Sequence, residues 1–150
     1  MGRAAFESWK GDAMSFTGVN YIAVVIAALA GFGLGTVWYM VLAKPWMRAV
    51  GKTEADRPQG PAQVLPFVIA ILALFVMALM LAGIMAHLGD ITIRGGVISG
   101  FFVWLGFVIT TMGVNHAFSG AKPILTAIDG GYWLLVLLIQ GAVIGAFGVS

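Results

Sequence analysis

The segment TMGVNHAFSGAKPILTAIDGGYW, residues 111–133, gathers an amide, an imidazole, an ammonium and a carboxylate in a chain of which only 9% of residues are charged. These are Asn115, His116, Lys122 and Asp129. In apolar surroundings such groups could pass a proton, hold an ion, or simply lock two helices together through hydrogen bonds. Other chemistry-bearing patterns do not occur: there is no zincin spacing, phosphate loop or nucleophile elbow. Zero cysteines remove disulfides, thiolate metal sites and thiol catalysis. A lone embedded Asp without a second acid nearby is a poor outline for an ion pump, which needs a relay. The sequence therefore calls for no catalytic residue, cofactor or metal.

The elements that must position these groups are membrane helices. Hydrophobic residues make up 61% of the 150 residues and the mean hydropathy is +1.01, far from the balance of a soluble domain. Apolar segments over 21–43, 64–87, 96–118 and 124–149 each exceed the ~20 residues that cross a ~30 Å hydrocarbon layer as a helix. Lipid cannot satisfy exposed backbone, so helices are required, and the lack of period-2 alternation argues against a barrel. The expected fold is all-α and integral to the membrane: one transmembrane domain over residues 20–150, a four-helix up-down bundle. Residues 1–19 form an N-terminal extension without the apolar core of a secretory signal peptide. Its Phe6, Trp9, Met14 and Phe16 alternate with Arg3, Glu7, Lys10 and Asp12, a composition suited to a membrane interface or another protein, or to a disordered tail.

The connections are short except over residues 44–63, where Thr53 to Asp56 resembles a capping box opening a short interfacial helix that Pro58 soon ends. The net charge of +2 arises from eight basic and six acidic groups, mainly in loops, and no basic stripe exists to meet nucleic acid. Lys44, Arg48, Lys52, Arg57 and Lys122 fall on one side of the bundle and Arg3, Lys10 and Arg94 on the other. The positive-inside rule then puts the first and third loops in the cytoplasm and both termini in the periplasm.

Small residues recur at four-residue spacing: Ala27, Gly31 and Gly35 in the first helix, Gly96 and Gly100 in the third, Gly141 and Gly145 in the fourth. Such rows let backbones approach closely, either within the bundle or against a second protein.

Alternating topology brings Trp38, Tyr39, Lys44, Trp46, Asn115, His116, Lys122, Asp129 and Tyr132 into one leaflet. The aromatics and lysines suit an interfacial belt and snorkelling cations. Asp129 lies about one and a half turns into its helix, past full stabilisation by the helix N-terminus, and needs a partner. His116 and Lys122 are the expected ones, giving a lock between the third and fourth helices or a ligand or proton site. Trp133, Val136 and Gln140 share the Asp129 face, which should point into the bundle. His87 and His116 close antiparallel helices, roughly 25–30 Å apart, so a pigment could take one histidine but not both.

Three blocks, GTVWYMVLAKPWMRAVGKTEAD, WLGFVITTMGVNHAFSGAKP and LTAIDGGYWLLVLLIQGAVIGAF, resemble a family of small bacterial four-helix membrane proteins known only by a domain-of-unknown-function label. The resemblance covers about residues 20–148 and places Trp38, Tyr39, Lys44, Trp46, Asn115, Asp129, Gly130 and Tyr132 at motif positions. It implies a four-helix fold in a bacterial inner membrane and confers no activity. The expected function is a non-catalytic accessory subunit in contact with lipids and with a larger complex, of respiratory or photosynthetic type, or with copies of itself. The alternatives are a small-solute transporter or channel using the Asn115, His116, Asp129 and Gln140 surface, and a lipid- or pigment-binding subunit.

Overall fold

The structure is a computed structural model that describes residues 18–56 and 59–148. Its elements are α1 (Tyr21–Val41), α2 (Ala43–Val50), α3 (Leu65–Leu88), α4 (Ile93–Val103), a π-helical turn (Trp104–Val108), α5 (Ile109–Phe118) and α6 (Pro123–Phe147). Short 3-10 turns occupy Glu54–Asp56 and Gly60–Gln63. The α4, π and α5 segments run on as one span, Ile93–Phe118, and with α1, α3 and α6 make four helices long and apolar enough to cross a membrane. The chain is an all-α, multi-pass membrane protein, as its hydropathy requires. Residues 1–17 of the expected extension, with its aromatic and charged pattern, lie outside the described residues, as do Arg57 and Pro58.

Local chemistry sets the helix ends. The Asn20 side chain accepts from the amides of Ile22 (3.1 Å) and Ala23 (3.2 Å), capping α1. Thr92 does the same for α4, accepting from the Gly95 amide at 3.0 Å while donating its hydroxyl to Asp90 at 2.7 Å. Gly51 and Gly89 close α2 and α3 with φ of 72° and 70°, a left-handed turn that favours glycine. Pro123 opens α6, where the missing amide hydrogen is no loss.

The long first connection is more ordered than its composition suggests. AKPWMRAV folds as α2, with Ala49 buried and Lys44 and Arg48 exposed, so the interfacial helix precedes the Thr53 to Asp56 box instead of following it. Pro45 is tolerated because it falls in the first turn. The box itself closes only a 3-10 turn: the Thr53 amide and hydroxyl both reach Asp56 at 2.7 Å. Those two bonds, the hydroxyl's first, hold the Asp56 carboxyl below its ordinary range.

Every other span packs on α6, which buries nine residues, against five in α1, six in α3 and three in Ile93–Phe118. The α4–α6 contact is backbone on backbone. A Cβ placed on Gly96 would land on the Gly141 carbonyl, one on Gly141 would land on that of Gly96, and Gly145 meets the Thr92 carbonyl. At Gly100 the added carbon would stand 2.5 Å from the Leu137 carbonyl oxygen. On the other side, Gly31 faces Leu74 and Val136, and Gly35 faces the Tyr132 hydroxyl. All six glycines of the rows are therefore used inside the bundle, leaving none for a second protein. Close approach of this kind replaces the hydrophobic drive that lipid does not supply.

Gly96→Ala should separate α4 from α6, because a carbonyl cannot yield as a flexible side chain does; overpacking typically costs roughly 1–3 kcal/mol. Gly113→Ala, with nothing within 4 Å of the new carbon, serves as the control. Thermal unfolding in detergent should show a clear drop for the first and none for the second.

Candidate functional site

Asp129 sits on α6 beside Ile128 and Gly130, and these three residues receive hydrogen bonds from four aromatic side chains. The Tyr39 hydroxyl, from the last turn of α1, donates to Asp129 Oδ1 at 2.8 Å. The Trp46 indole, from α2, donates to the same oxygen at 3.2 Å. One residue earlier, the Ile128 carbonyl accepts from Trp38 Nε1 at 3.1 Å; one residue later, the Gly130 carbonyl accepts from Trp104 Nε1 at 2.8 Å. A helical carbonyl keeps a second lone pair after its own ladder bond, so the indoles do not break α6. The rings also touch: Tyr39 lies edge-on to Trp46 (6.1 Å between centroids) and to Tyr132 (5.2 Å).

The residues that permit this are the two glycines after Asp129. A Cβ at Gly130 would come 2.6 Å from Ile109 Cδ1, and one at Gly131 would come 3.3 Å from Trp38 Cζ2. IDGG thus reads as a docking strip: a carboxylate between two backbone carbonyls, with no side chain at Gly130 or Gly131 to keep large rings away. The π turn delivers Trp104 from within the third span, where the altered helical phase re-aims a side chain.

Asp129 has a different partnership from the one expected of it. His116 Nδ1 pairs instead with Thr126 Oγ1 at 2.8 Å, and Lys122 Nζ donates to the Arg48 carbonyl at 3.0 Å, satisfying the end of α2. The donors to the carboxylate are neutral, and the lock joins the first and fourth spans through α1 and α2, because the helix breaks at Leu42 and α2 packs on α6, bringing Trp46 to the carboxylate. The Asn115, His116, Asp129 and Gln140 surface does not assemble. Asn115 is exposed near the end of α5, while Gln140 is fully buried and donates to the Leu74 carbonyl at 2.9 Å. Its Oε1 has no partner among the described residues. Lys44 and His87 are exposed, and His87 lies in the last turn of α3, at the end of the bundle away from His116.

Of the residues singled out in sequence, Trp38, Tyr39, Trp46, Asp129 and Tyr132 do form one cluster. The Asp129 face points inward as its spacing implies, with Val136 and Gln140 buried and Trp133 partly so. Trp104 was not among them. The available signal was an indole N–H far from either end of a span, which must find an acceptor. Among the described residues no three His, Cys, Asp or Glu side chains gather to hold a metal.

The chain belongs to the family described as protein of unknown function (DUF1761), which matches residues 22–145. No curated protein and no solved structure matches it.

If Asp129 acts as an acceptor for Tyr39 and Trp46, Asp129→Asn should be tolerated, since its amide oxygen can accept both bonds. Asp129→Leu strands two half-buried donors, each costing up to about 1–3 kcal/mol. Unfolding in detergent, followed by tryptophan fluorescence, should place the Asn variant near the parent and the Leu variant well below it.

Proposed function

We propose that this DUF1761 member is a non-catalytic subunit that packs against a larger assembly in a bacterial inner membrane, of respiratory or photosynthetic type. The supporting observation is the outer face of the third span. Of its residues only Gly95, Gly96 and Gly100, all in α4, are buried within the chain. Gly106 and, one turn on, Thr110 stand exposed on one face of the span. A Cβ at Gly106 would meet nothing within 4 Å. A small-residue face that no helix of the chain covers is the geometry that another membrane helix uses for close approach. The embedded polar groups favour the same reading, because Asp129, Trp38, Trp46 and Trp104 are bonded within the bundle. A solute pathway would need such groups aimed into a shared passage.

The five basic residues of the first and third loops, against three elsewhere, favour cytoplasmic loops and periplasmic termini. Since the chain has no cysteine, Lys52→Cys and Asp90→Cys give single labelling sites. An impermeant maleimide should label the second in intact cells and the first only after lysis; the reverse pattern would invert the orientation.

The assembly reading is tested on the open glycine. Gly106→Leu should leave thermal stability unchanged yet release the protein from its co-purifying subunits in native mass spectrometry after gentle extraction. A parent protein that emerges alone, or a variant that keeps its partners, would defeat the proposal. The rows at Gly96, Gly100, Gly141 and Gly145 cannot serve here, since altering them opens the bundle itself.

A further inference from the structure

Two clefts of about 430 and 470 Å³ meet at His116 and Ala121, where the third span, α6 and the end of α2 come together. We infer that they form one L-shaped binding site for an anionic phospholipid, with the phosphate at Lys122 and His116 and an acyl chain in the apolar arm. That arm is bordered by Ile109 and Pro123 and by Gly113, Ala117 and Ala127, whose small side chains leave the space. It reaches from the helix ends to Ile109, nine residues before Phe118 on the same span. At 1.5 Å per residue that is about 14 Å into the hydrocarbon, a depth that suits a lipid tail.

The other arm opens at the membrane surface beside Gly51, Ser119, Gly120 and Lys122. Neither arm is lined by an acidic residue. The cations at hand are Lys122, Arg48, whose carbonyl the Lys122 ammonium already touches, and Lys52 next to Gly51. An ammonium carries three donors, so the bond to Arg48 fixes Lys122 in place and leaves two for a phosphate. His116 is held at the corner by its Nδ1 bond to Thr126, which leaves Nε2 for the ligand. A zwitterionic headgroup would bring its own cation to this basic rim with no carboxylate to receive it. Complementarity therefore selects a lipid of net negative charge.

The test is native mass spectrometry of delipidated full-length protein in detergent, offered equimolar dioleoyl phosphatidylglycerol and dioleoyl phosphatidylcholine. One phosphatidylglycerol should be retained with about tenfold preference, the range of a single charge-assisted contact. Lys122→Gln should abolish the preference and Lys122→Arg restore it. Ala127→Phe, which fills the apolar arm, should remove retention while leaving the thermal transition in place; if that variant does not fold, the two Lys122 variants decide. Equal retention of both lipids, or an unchanged preference in Lys122→Gln, would overturn the site. So would displacement of the lipid by glycerol phosphate at equal concentration, because the phosphate alone would then account for binding.

Discussion

Hydrocarbon offers no hydrogen bonds and no hydrophobic drive between helices, so a membrane bundle must find its cohesion in close backbone approach and in polar groups that satisfy one another. In this protein both demands fall on α6. Its Gly141 and Gly145 press against Gly96 and the Thr92 carbonyl of the third span, while its other side receives α1 and α3 around Val136 and Gln140. With glycine at the contact, dispersion acts between main chains at their shortest separation. No side chain then has to give up rotamer freedom. The remaining helices take their positions from this central one.

The polar turn at Ile128 to Gly130 extends the same logic toward the membrane surface. A carboxylate in this setting is costly unless its oxygens are engaged, and here a phenol and an indole engage one of them without a cation. Neutral donors avoid desolvating a second charge, and their rigid rings lose little entropy on docking. Because Tyr39 and Trp46 lie on either side of the helix break at Leu42, the carboxylate also decides where α2 runs against α6. The functional reading follows from this: the embedded polar groups hold the bundle together, while the face left uncovered is apolar and small.

The third span serves two neighbourhoods. Its first half is fastened to α6 by glycines, whereas α5, beyond the π turn, has no buried residue. The turn lies where packing changes character, and its wider coil turns Trp104 onto the Gly130 carbonyl. Where α5 and α6 are joined, space between them opens into the groove at His116. A half that secures the fold and a half left open are thus built into one helix.

Sequence alone determined the membrane class, the number of spans and their approximate limits, because each rests on local properties: apolar run length, absent charge, and proline or glycine at the ends. It also determined that the Asp129 face turns inward, since helical spacing places Val136 and Gln140 beside it. Which groups meet that carboxylate was decided only in three dimensions. Charge pairing pointed to His116 or Lys122, yet Tyr39 and Trp46 are 90 and 83 residues away in sequence and reach it across a helix break at Leu42 that no local pattern specifies. The indole bonds of Trp38 and Trp104 were hidden for a further reason. Their acceptors are backbone carbonyls, which every residue carries, so no residue type marks them. The glycine rows likewise promised close packing without naming the partner, because a bare helix face suits a helix of its own chain and a foreign one equally well. Only tertiary structure assigned Gly96 to Gly141, and left Gly106 facing outward.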